Sequence, residues 1–170
     1  MKFFKVLSIV LLGGIVLFFL AGVFLPNSAT LEKKYEIAAP AYAIQNEIID
    51  LYENHLWPIW STEDTSIVFT SLENGVGYSW EGPAVGHGKC SYNLAVDYTI
   101  QDHISFNGKD VAETIWQFEG VDPVILNFSI TINAGKNIST RWTNLFLNRL
   151  IGDKIDSIVK NIKTTVEIPN

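Results

Sequence analysis

The sequence predicts an α+β domain in which a curved antiparallel sheet of about seven strands surrounds a long C-terminal helix, preceded by one N-terminal transmembrane helix. Three observations predict this class. Residues 6–25 contain no charged side chain. Between residues 65 and 133, short β-branched and aromatic runs alternate with Gly, Asn and Asp, which is typical of antiparallel strands. From about Arg141 the apolar residues recur at helical spacing, and this stripe matches the single apolar face of the sheet.

Residues 1–29 are predicted to form a membrane anchor, and residues 30–170 a single domain. At about 1.5 Å per residue, the apolar run spans roughly 30 Å, the thickness of a hydrocarbon core. Lys2 and Lys5 precede the run, so the positive-inside bias places the N-terminus in the cytoplasm and the domain across the cell membrane. The alternative is a cleaved signal peptide and a secreted domain, although signal peptides usually have a shorter apolar core.

The elements of the domain follow from changes in hydrophobic period. A helix is predicted at Ala41–Tyr52, directly after Pro40, which suits a helix start. A second short helix or turn carries Leu56, Trp57, Ile59 and Trp60.

Asn74-Gly75 and Asn107-Gly108 are predicted hairpin turns. The predicted strands are Leu31–Ile37, Ile67–Ser71, Gly77–Glu81, Lys89–Val96, His103–Phe106, Ala112–Phe118 and Ile125–Ile132. In the alternation, Tyr92, Leu94, Val96 and Tyr98 share one face.

The charge balance excludes some partners. The net charge is −6, and Lys2 and Lys5 belong to the anchor, so the domain is more acidic than the whole chain. Binding to nucleic acid and electrostatic binding to anionic lipid headgroups both require clustered Lys and Arg, so neither is predicted. The predicted membrane contact is the N-terminal helix itself. Cys90 is the single cysteine, which excludes an intrachain disulfide.

Aromatic residues are the predicted ligand-binding residues. The chain has five Trp, six Tyr and ten Phe, and several of the Trp and Tyr lie on strands expected to face the helix. Flat rings suit an apolar or ring-bearing ligand, and Trp N–H and Tyr O–H groups can orient it. The alternative for each residue is ordinary core packing. The candidates are Trp57, Trp60, Tyr78, Trp80, Tyr92, Trp116 and Phe118.

No catalytic constellation is visible in the sequence. Glu81, His103 and Glu113 are the acid–base candidates, but strand parity places Glu113 on the wet face, and no Ser-His-Asp arrangement is readable. His87 and Cys90 lack further ligands at suitable spacing, so neither a metal nor another cofactor is predicted. The glycines of residues 82–88 depart from phosphate-loop spacing and are predicted to be hairpin glycines.

Several blocks of sequence resemble membrane-anchored members of the SRPBCC superfamily, the START-like proteins often labelled polyketide cyclase/dehydrase. These blocks are residues 25–40, Trp57-Pro58-Ile59-Trp60, residues 74–89 and residues 144–152. The resemblance implies a helix-grip fold with a cavity between the sheet and the C-terminal helix that commonly takes apolar or aromatic ligands. It does not imply an enzyme.

Three functions remain open at this point. The first is a membrane-tethered module that binds a hydrophobic small molecule or lipid. The second is a cyclase, dehydratase or hydrolase, which requires Glu81, His103 or Glu113 to point into the cavity. The third is an envelope scaffold that binds a protein partner and predicts a large exposed apolar patch. No particular oligomeric state is predicted.

Overall fold

The first element is a long apolar helix, α1 (Lys2–Phe24). The structure, a computed structural model, describes residues 2–57, 66–73, 76–95 and 98–167. The span Phe3–Phe24 of α1 is long and apolar enough to cross a membrane, and these properties suit a signal sequence equally. Only residues 25–27 separate α1 from the first strand.

In the described part of the chain, seven strands form one antiparallel sheet in the order β1-β7-β6-β5-β4-β3-β2. This confirms the predicted curved antiparallel sheet of a helix-grip fold. The first and last strands pair along their whole length, from Ser28 opposite Asn133 to Ile37 opposite Val124. The strands are β1 (Ser28–Ile37), β2 (Val68–Ser71), β3 (Gly77–Gly82), β4 (Gly86–Ala95), β5 (Thr99–Phe106), β6 (Lys109–Glu119) and β7 (Val124–Asn133).

The helices of the domain are α2 (Ala41–Glu53), α3 (Ile138–Asn144) and α4 (Asp153–Val166), with a π-helical turn at Asn148–Gly152. The predicted long C-terminal helix is present, and the chain keeps a helical backbone at Leu145, Leu147 and Gly152. It is less regular than predicted, because a turn at residues 145–146 and the π-helical turn interrupt the α-helical hydrogen bonding before α4. Its N-terminal part, α3, contacts α1, whereas α4 contacts α2 and joins the core.

The core lies between the concave face of the sheet and the helices α2 and α4. Side chains of a strand alternate between faces, so every second residue of β6 and β7 is buried. Each helix contributes one apolar stripe at three-to-four-residue spacing. The buried residues of the two helices are Ile44, Ile48 and Tyr52 in α2 and Ile155, Val159 and Ile162 in α4.

Details of β4 and β5 differ from expectation. Strand β5 begins at Thr99, four residues before the predicted start at His103. Tyr98 does not continue the alternation of β4, because it is an exposed turn residue with a φ of 53°. Both Asn107 and Gly108 have positive φ, as a type I′ hairpin turn requires, which confirms that turn. Asn74-Gly75 lies outside the described residues, as do Val96 and Asp97.

A polar contact fastens the edge strand β1 to α4. Asp156 accepts a hydrogen bond of 2.6 Å from Lys33 Nζ and another of 2.6 Å from the hydroxyl of Tyr35. Hydrogen bonds from Lys33 and Tyr35 lower the pKa of Asp156 below its usual value. The Asp156 side chain remains 48% exposed, so solvent screens this pair.

Candidate functional site

Asp102 is a buried carboxylate on the concave face of the sheet. It lies on β5 between Ile100 and Ile104, and all three side chains are fully buried. Its neighbour across the strand pair is Thr114 of β6, the other fully buried polar residue in the described part of the chain. A carboxylate in this position must be hydrogen-bonded, because an unpaired charge in an apolar core is very costly.

Three aromatic side chains surround Asp102 and form with it the Asp102 cluster: Tyr52, Trp57, Asp102 and Trp116. The Tyr52 hydroxyl donates to Asp102 Oδ2 at 2.5 Å, and Trp57 Nε1 donates to the same oxygen at 2.7 Å. Trp116 Nε1 donates to the Tyr52 hydroxyl at 3.0 Å. The helix α2 and the segment after it thus each donate to one carboxylate oxygen of β5, and Trp116 of β6 supports the Tyr52 hydroxyl.

Asp102 Oδ1 and Thr114 Oγ1 make no hydrogen bond of good geometry in the described part of the chain, although the Thr114 hydroxyl is close enough to help lower the pKa of Asp102. Burial raises the pKa of Asp102 to about 6, and the hydrogen bonds from Tyr52 and Trp57 oppose part of that rise. Burial and the nearby Asp102 charge raise the pKa of Tyr52 well above its usual value, so Tyr52 remains a proton donor. Near neutral pH the carboxyl can therefore exist with or without its proton.

Trp57, Trp116 and the neighbouring Phe128 fill the space below the sheet by packing on one another. The ring centroids of Trp57 and Trp116 are 5.5 Å apart, and those of Trp116 and Phe128 are 4.5 Å apart. Each of these rings is at most 1% exposed. Two of the predicted cavity residues, Trp57 and Trp116, therefore pack on each other within the Asp102 cluster.

The other aromatic candidates lie at different places. Tyr78 and Trp80 are buried on β3, and the Trp80 ring lies over Gly88, where a Cβ would clash with it. Tyr92 is half-buried and packs on Tyr52 with ring centroids 4.7 Å apart. Trp60 lies outside the described residues. Phe118 stands apart from these residues at the end of β6.

The three acid–base candidates point away from the core. Glu81, His103 and Glu113 each directly follow or precede a concave-face residue on their strands, so they project from the convex face. The side chain of Glu113 accepts a hydrogen bond from Gln101 there. His87 is exposed and Cys90 is buried, so the two side chains lie on opposite faces of β4 and cannot share a metal ion.

The predicted hairpin glycines lie between β3 and β4. Gly82 ends β3 and Gly86 begins β4, with a φ of 68° at Gly86. A strand-to-strand hairpin offers no helix N-terminus, which a phosphate-binding loop needs. This geometry supports hairpin glycines over a phosphate loop.

An apolar cleft of about 740 Å³ opens at the end of the sheet farthest from α1. It forms where β1 passes into α2 and β6 turns into β7, and the C-terminal end of α4 lies nearby, because Ala38 N donates to Glu167 Oε1 at 3.0 Å. We call it the distal cleft. Its lining residues are Ala38, Ala39, Pro40, Ala41, Tyr42, Tyr98, Phe118, Gly120, Val121 and Asp122.

Large apolar side chains of the distal cleft are open to solvent. Tyr42 is 66% exposed, Tyr98 59% and Val121 85%, while Phe118 is buried at 7%. Apolar side chains grouped around a concavity of this size are typical of a small-molecule site. Phe118 is the predicted aromatic residue that contributes to it.

Sequence reasoning missed both Asp102 and most of the distal cleft. The signal for Asp102 was present in the alternation of Ile100, Asp102 and Ile104, which puts the carboxylate on the apolar face. The cleft residues carry no comparable signal. They come from the junction of β1 with α2, the β4–β5 turn and the connection between β6 and β7, which are distant in sequence and meet through the pairing of β1 with β7, β7 with β6 and β6 with β5.

Together, the seven-stranded sheet and the helix packed in its concavity define a START-like helix-grip domain. Solved structures confirm this fold. A START superfamily protein from Mycobacterium smegmatis has a TM-score of 0.51 at 16% identity over 81% of this chain and 97% of that chain. The di-domain ARO/CYC BexL from the BE-7585A biosynthetic pathway has a TM-score of 0.56 at 11% identity, over 85% of this chain and 52% of that chain.

Truncated norcoclaurine synthase from Thalictrum flavum is similar as well, with a TM-score of 0.54 at 15% identity, over 84% of this chain and 96% of that chain. No protein-family profile and no curated protein matches the sequence. At these identities the likeness concerns the fold alone. The function must therefore be argued from the residues of this chain.

Proposed function

We propose that the protein is a membrane-anchored START-like domain that binds a hydrophobic small molecule or lipid in the distal cleft. The observation that carries this proposal is the cleft itself, about 740 Å³ in volume and lined mainly by apolar side chains. That volume is in the range of sites for drug-sized ligands. Asp122 is the one ionisable carboxylate of the lining, so an apolar ligand with one polar group fits best.

The proposal includes α1 as a retained membrane span with its N-terminus in the cytoplasm. Phe18 of α1 stacks on Trp142 of α3 with ring centroids 4.8 Å apart, so the end of α1 is in contact with the domain. A signal peptide that is removed by cleavage does not require close packing against the mature domain. Lys2 and Lys5 supply the positive charge on the cytoplasmic side.

Native mass spectrometry of the full-length chain, purified from its own host in nanodiscs without added ligand, tests the binding function. We expect a co-purified apolar molecule bound one to one. Val121→Asp should reduce its occupancy, because a charge at the mouth of the cleft opposes an apolar ligand.

Val68→Asp is the matched control, since Val68 is 65% exposed on β2 and lies outside the distal cleft. It should leave occupancy unchanged. An empty wild-type chain that also fails to retain added aromatic or acyl compounds would contradict the binding function.

The Asp102 cluster favours a second candidate function, a cyclase- or dehydratase-like enzyme. A general acid–base catalyst works best with a pKa near the working pH, and Asp102 has a pKa of about 6. Two of the similar solved structures are an ARO/CYC protein and norcoclaurine synthase. Because Asp102 is fully buried, a substrate would have to displace part of the surrounding core to reach it.

Incubation with aromatic poly-β-carbonyl compounds, followed by mass spectrometry, tests this second candidate. Conversion by the wild type and none by Asp102→Asn would support the enzyme, provided that both chains have the same circular dichroism spectrum. Conversion that is equal in both chains would remove Asp102 from any catalytic role.

A further inference from the structure

The segment that contains α3 is fitted closely to the last turns of α1. The Phe18 and Trp142 rings are nearly parallel, with an interplanar angle of 10°. Gly22 is buried against α3, and a Cβ at this position would clash with Ile138 and with Trp142 Nε1. The absence of a side chain at residue 22 therefore allows α3 to lie directly beside α1.

Arg141 adds a polar connection at the same place. Its Nη1 donates to the carbonyl oxygens of Val23 at 2.8 Å and Leu25 at 3.3 Å, and its Nη2 donates to Gly135 O at 2.6 Å. The last carbonyls of a helix have no partner within the helix, so a guanidinium at this position satisfies them. Ala134 N also donates to Asn27 O at 2.7 Å, which ties the connection after α1 to the end of β7.

Exposed apolar side chains follow directly after α3. Leu145 is 53% exposed, Phe146 56% and Leu150 53%. We call Trp142, Leu145, Phe146, Arg149 and Leu150 the proximal patch. Trp142 contacts α1, and the other residues of the patch follow it in the chain, between the end of α3 and the middle of the π-helical turn.

The charge around the proximal patch differs from that of the whole chain. No Asp or Glu occurs between Pro123 and Gly152, although the chain has a net charge of −6. The same stretch contains Lys136 and both arginines of the chain, Arg141 and Arg149. The surface beside α1 therefore combines exposed apolar groups with a local excess of positive charge.

We propose that the proximal patch docks onto the lipid bilayer that α1 crosses, with Phe146 and Leu150 inserted among the acyl chains nearest the headgroups. This inference rests on the proposed membrane span. Phe18 lies six residues before Phe24, which is about 9 Å along α1. If Phe24 marks the membrane boundary, the Trp142 ring that stacks on Phe18 already lies within the interfacial layer, where Trp is enriched.

Lipid fits the proximal patch better than a protein partner does, because Trp142, at the start of the patch, packs on the side of α1. Any surface that touches the side of α1 near its end must also meet the lipids around that helix. The apolar side chains provide insertion, and Arg149 can approach phosphate groups while its aliphatic stem covers apolar surface.

Depth measurements on the full-length chain in phosphatidylcholine nanodiscs test the inference. The variants Phe146→Cys and Leu150→Cys each carry a fluorescent label on the introduced cysteine, and Cys90 is buried, so the unsubstituted chain controls for background labelling. Acyl chains brominated near the headgroup should lower the emission of both labels roughly twofold, since interfacial helices insert about 5–10 Å. The label in a Val121→Cys variant, at the distal cleft, should be unaffected.

A Leu20→Cys variant separates the two proposals, because Leu20 lies on α1 and is 53% exposed. Quenching at residue 20 without quenching at residues 146 and 150 overturns the docking surface and leaves the anchor intact. No quenching at residue 20 overturns both. A third outcome is that aqueous iodide and brominated lipid both fail to quench the labels at residues 146 and 150. In that case a protein partner or a second copy of the chain covers the patch, and the proposal of lipid docking is wrong.

Discussion

The described part of the chain contains two aspartate–tyrosine hydrogen bonds of nearly equal length in opposite surroundings. Asp102 and Tyr52 are buried in the core, with oxygens 2.5 Å apart, whereas Asp156 and Tyr35 join α4 to β1 at 2.6 Å near solvent. The pKa of Asp102 is raised and that of Asp156 is lowered. Burial among neutral partners disfavours the charged form of Asp102, whereas an exposed position beside Lys33 favours the charged form of Asp156. The surroundings of each carboxyl group therefore decide the direction of its pKa shift, although both accept a hydrogen bond from a tyrosine.

The largest expected effect of this difference is at Asp102. Asp102→Asn should raise the free energy of unfolding at pH 7 by about 3 kcal/mol, because the pKa rises from 3.8 to about 6 on folding. The amide oxygen can accept from Tyr52 and Trp57, and the amide nitrogen replaces the unpartnered Asp102 Oδ1. Urea unfolding of the full-length chain in detergent, followed by Trp fluorescence, measures the change.

The pH dependence of this effect has a definite sign. A raised pKa means that the contribution of Asp102 to stability is fully present below pH 4 and is lost as pH rises through 6. The advantage of Asp102→Asn over the wild type should therefore be near zero at pH 4 and complete by pH 7. A difference that is constant between these pH values contradicts the assigned burial of the charge.

A smaller effect is expected from removing the two tyrosine hydroxyls. Tyr52→Phe should lower the free energy of unfolding by about 1–3 kcal/mol, because Trp116 Nε1 loses its acceptor and Asp102 loses a donor inside the core. Tyr35→Phe is the matched control, with a loss of about 1 kcal/mol or less at a partly exposed site. Equal losses in the two variants would show that burial does not separate the two pairs.

The smallest effect is expected at Asp156. Asp156→Asn should lower the free energy of unfolding by less than about 1 kcal/mol, because the carboxylate is half exposed and screened. Since its pKa is lowered on folding, the loss should appear above pH 4 and vanish as pH falls below it. High salt should shrink this loss and leave the effect of Asp102→Asn nearly unchanged. Equal salt sensitivity in both variants would contradict the exposed placement of Asp156.

The sequence predicted strands well where the alternation was continuous and poorly where polar residues interrupted it. Trp116 and Phe118 were correctly placed on one face, because β6 alternates along its whole length. The first half of β5 was missed because the adjacent polar residues Gln101 and Asp102 interrupt the apolar run, although Ile100 and Ile104 mark one face. As a result, the buried carboxylate fell outside every predicted strand.

Contacts between distant segments account for the remaining differences. The contact of α3 with α1, more than 100 residues earlier in the chain, is one that no local pattern records. Whether a set of aromatic rings lines a cavity or fills a core is likewise decided by how several elements approach one another. The sequence identified Trp57 and Trp116 as important rings, and only the fold brings them into contact with Asp102.

The three-residue connection between α1 and β1 also limits how the domain can turn. With Arg141 holding the end of α1, the domain has no flexible stalk, so in a bilayer its main free rotation would be about the membrane normal. The ten residues of β1, at about 3.3 Å each, separate the distal cleft from the start of the strand by about 33 Å. If α1 spans the membrane and the cleft binds a ligand as proposed, a ligand donor or acceptor must reach the cleft at about that distance from the bilayer.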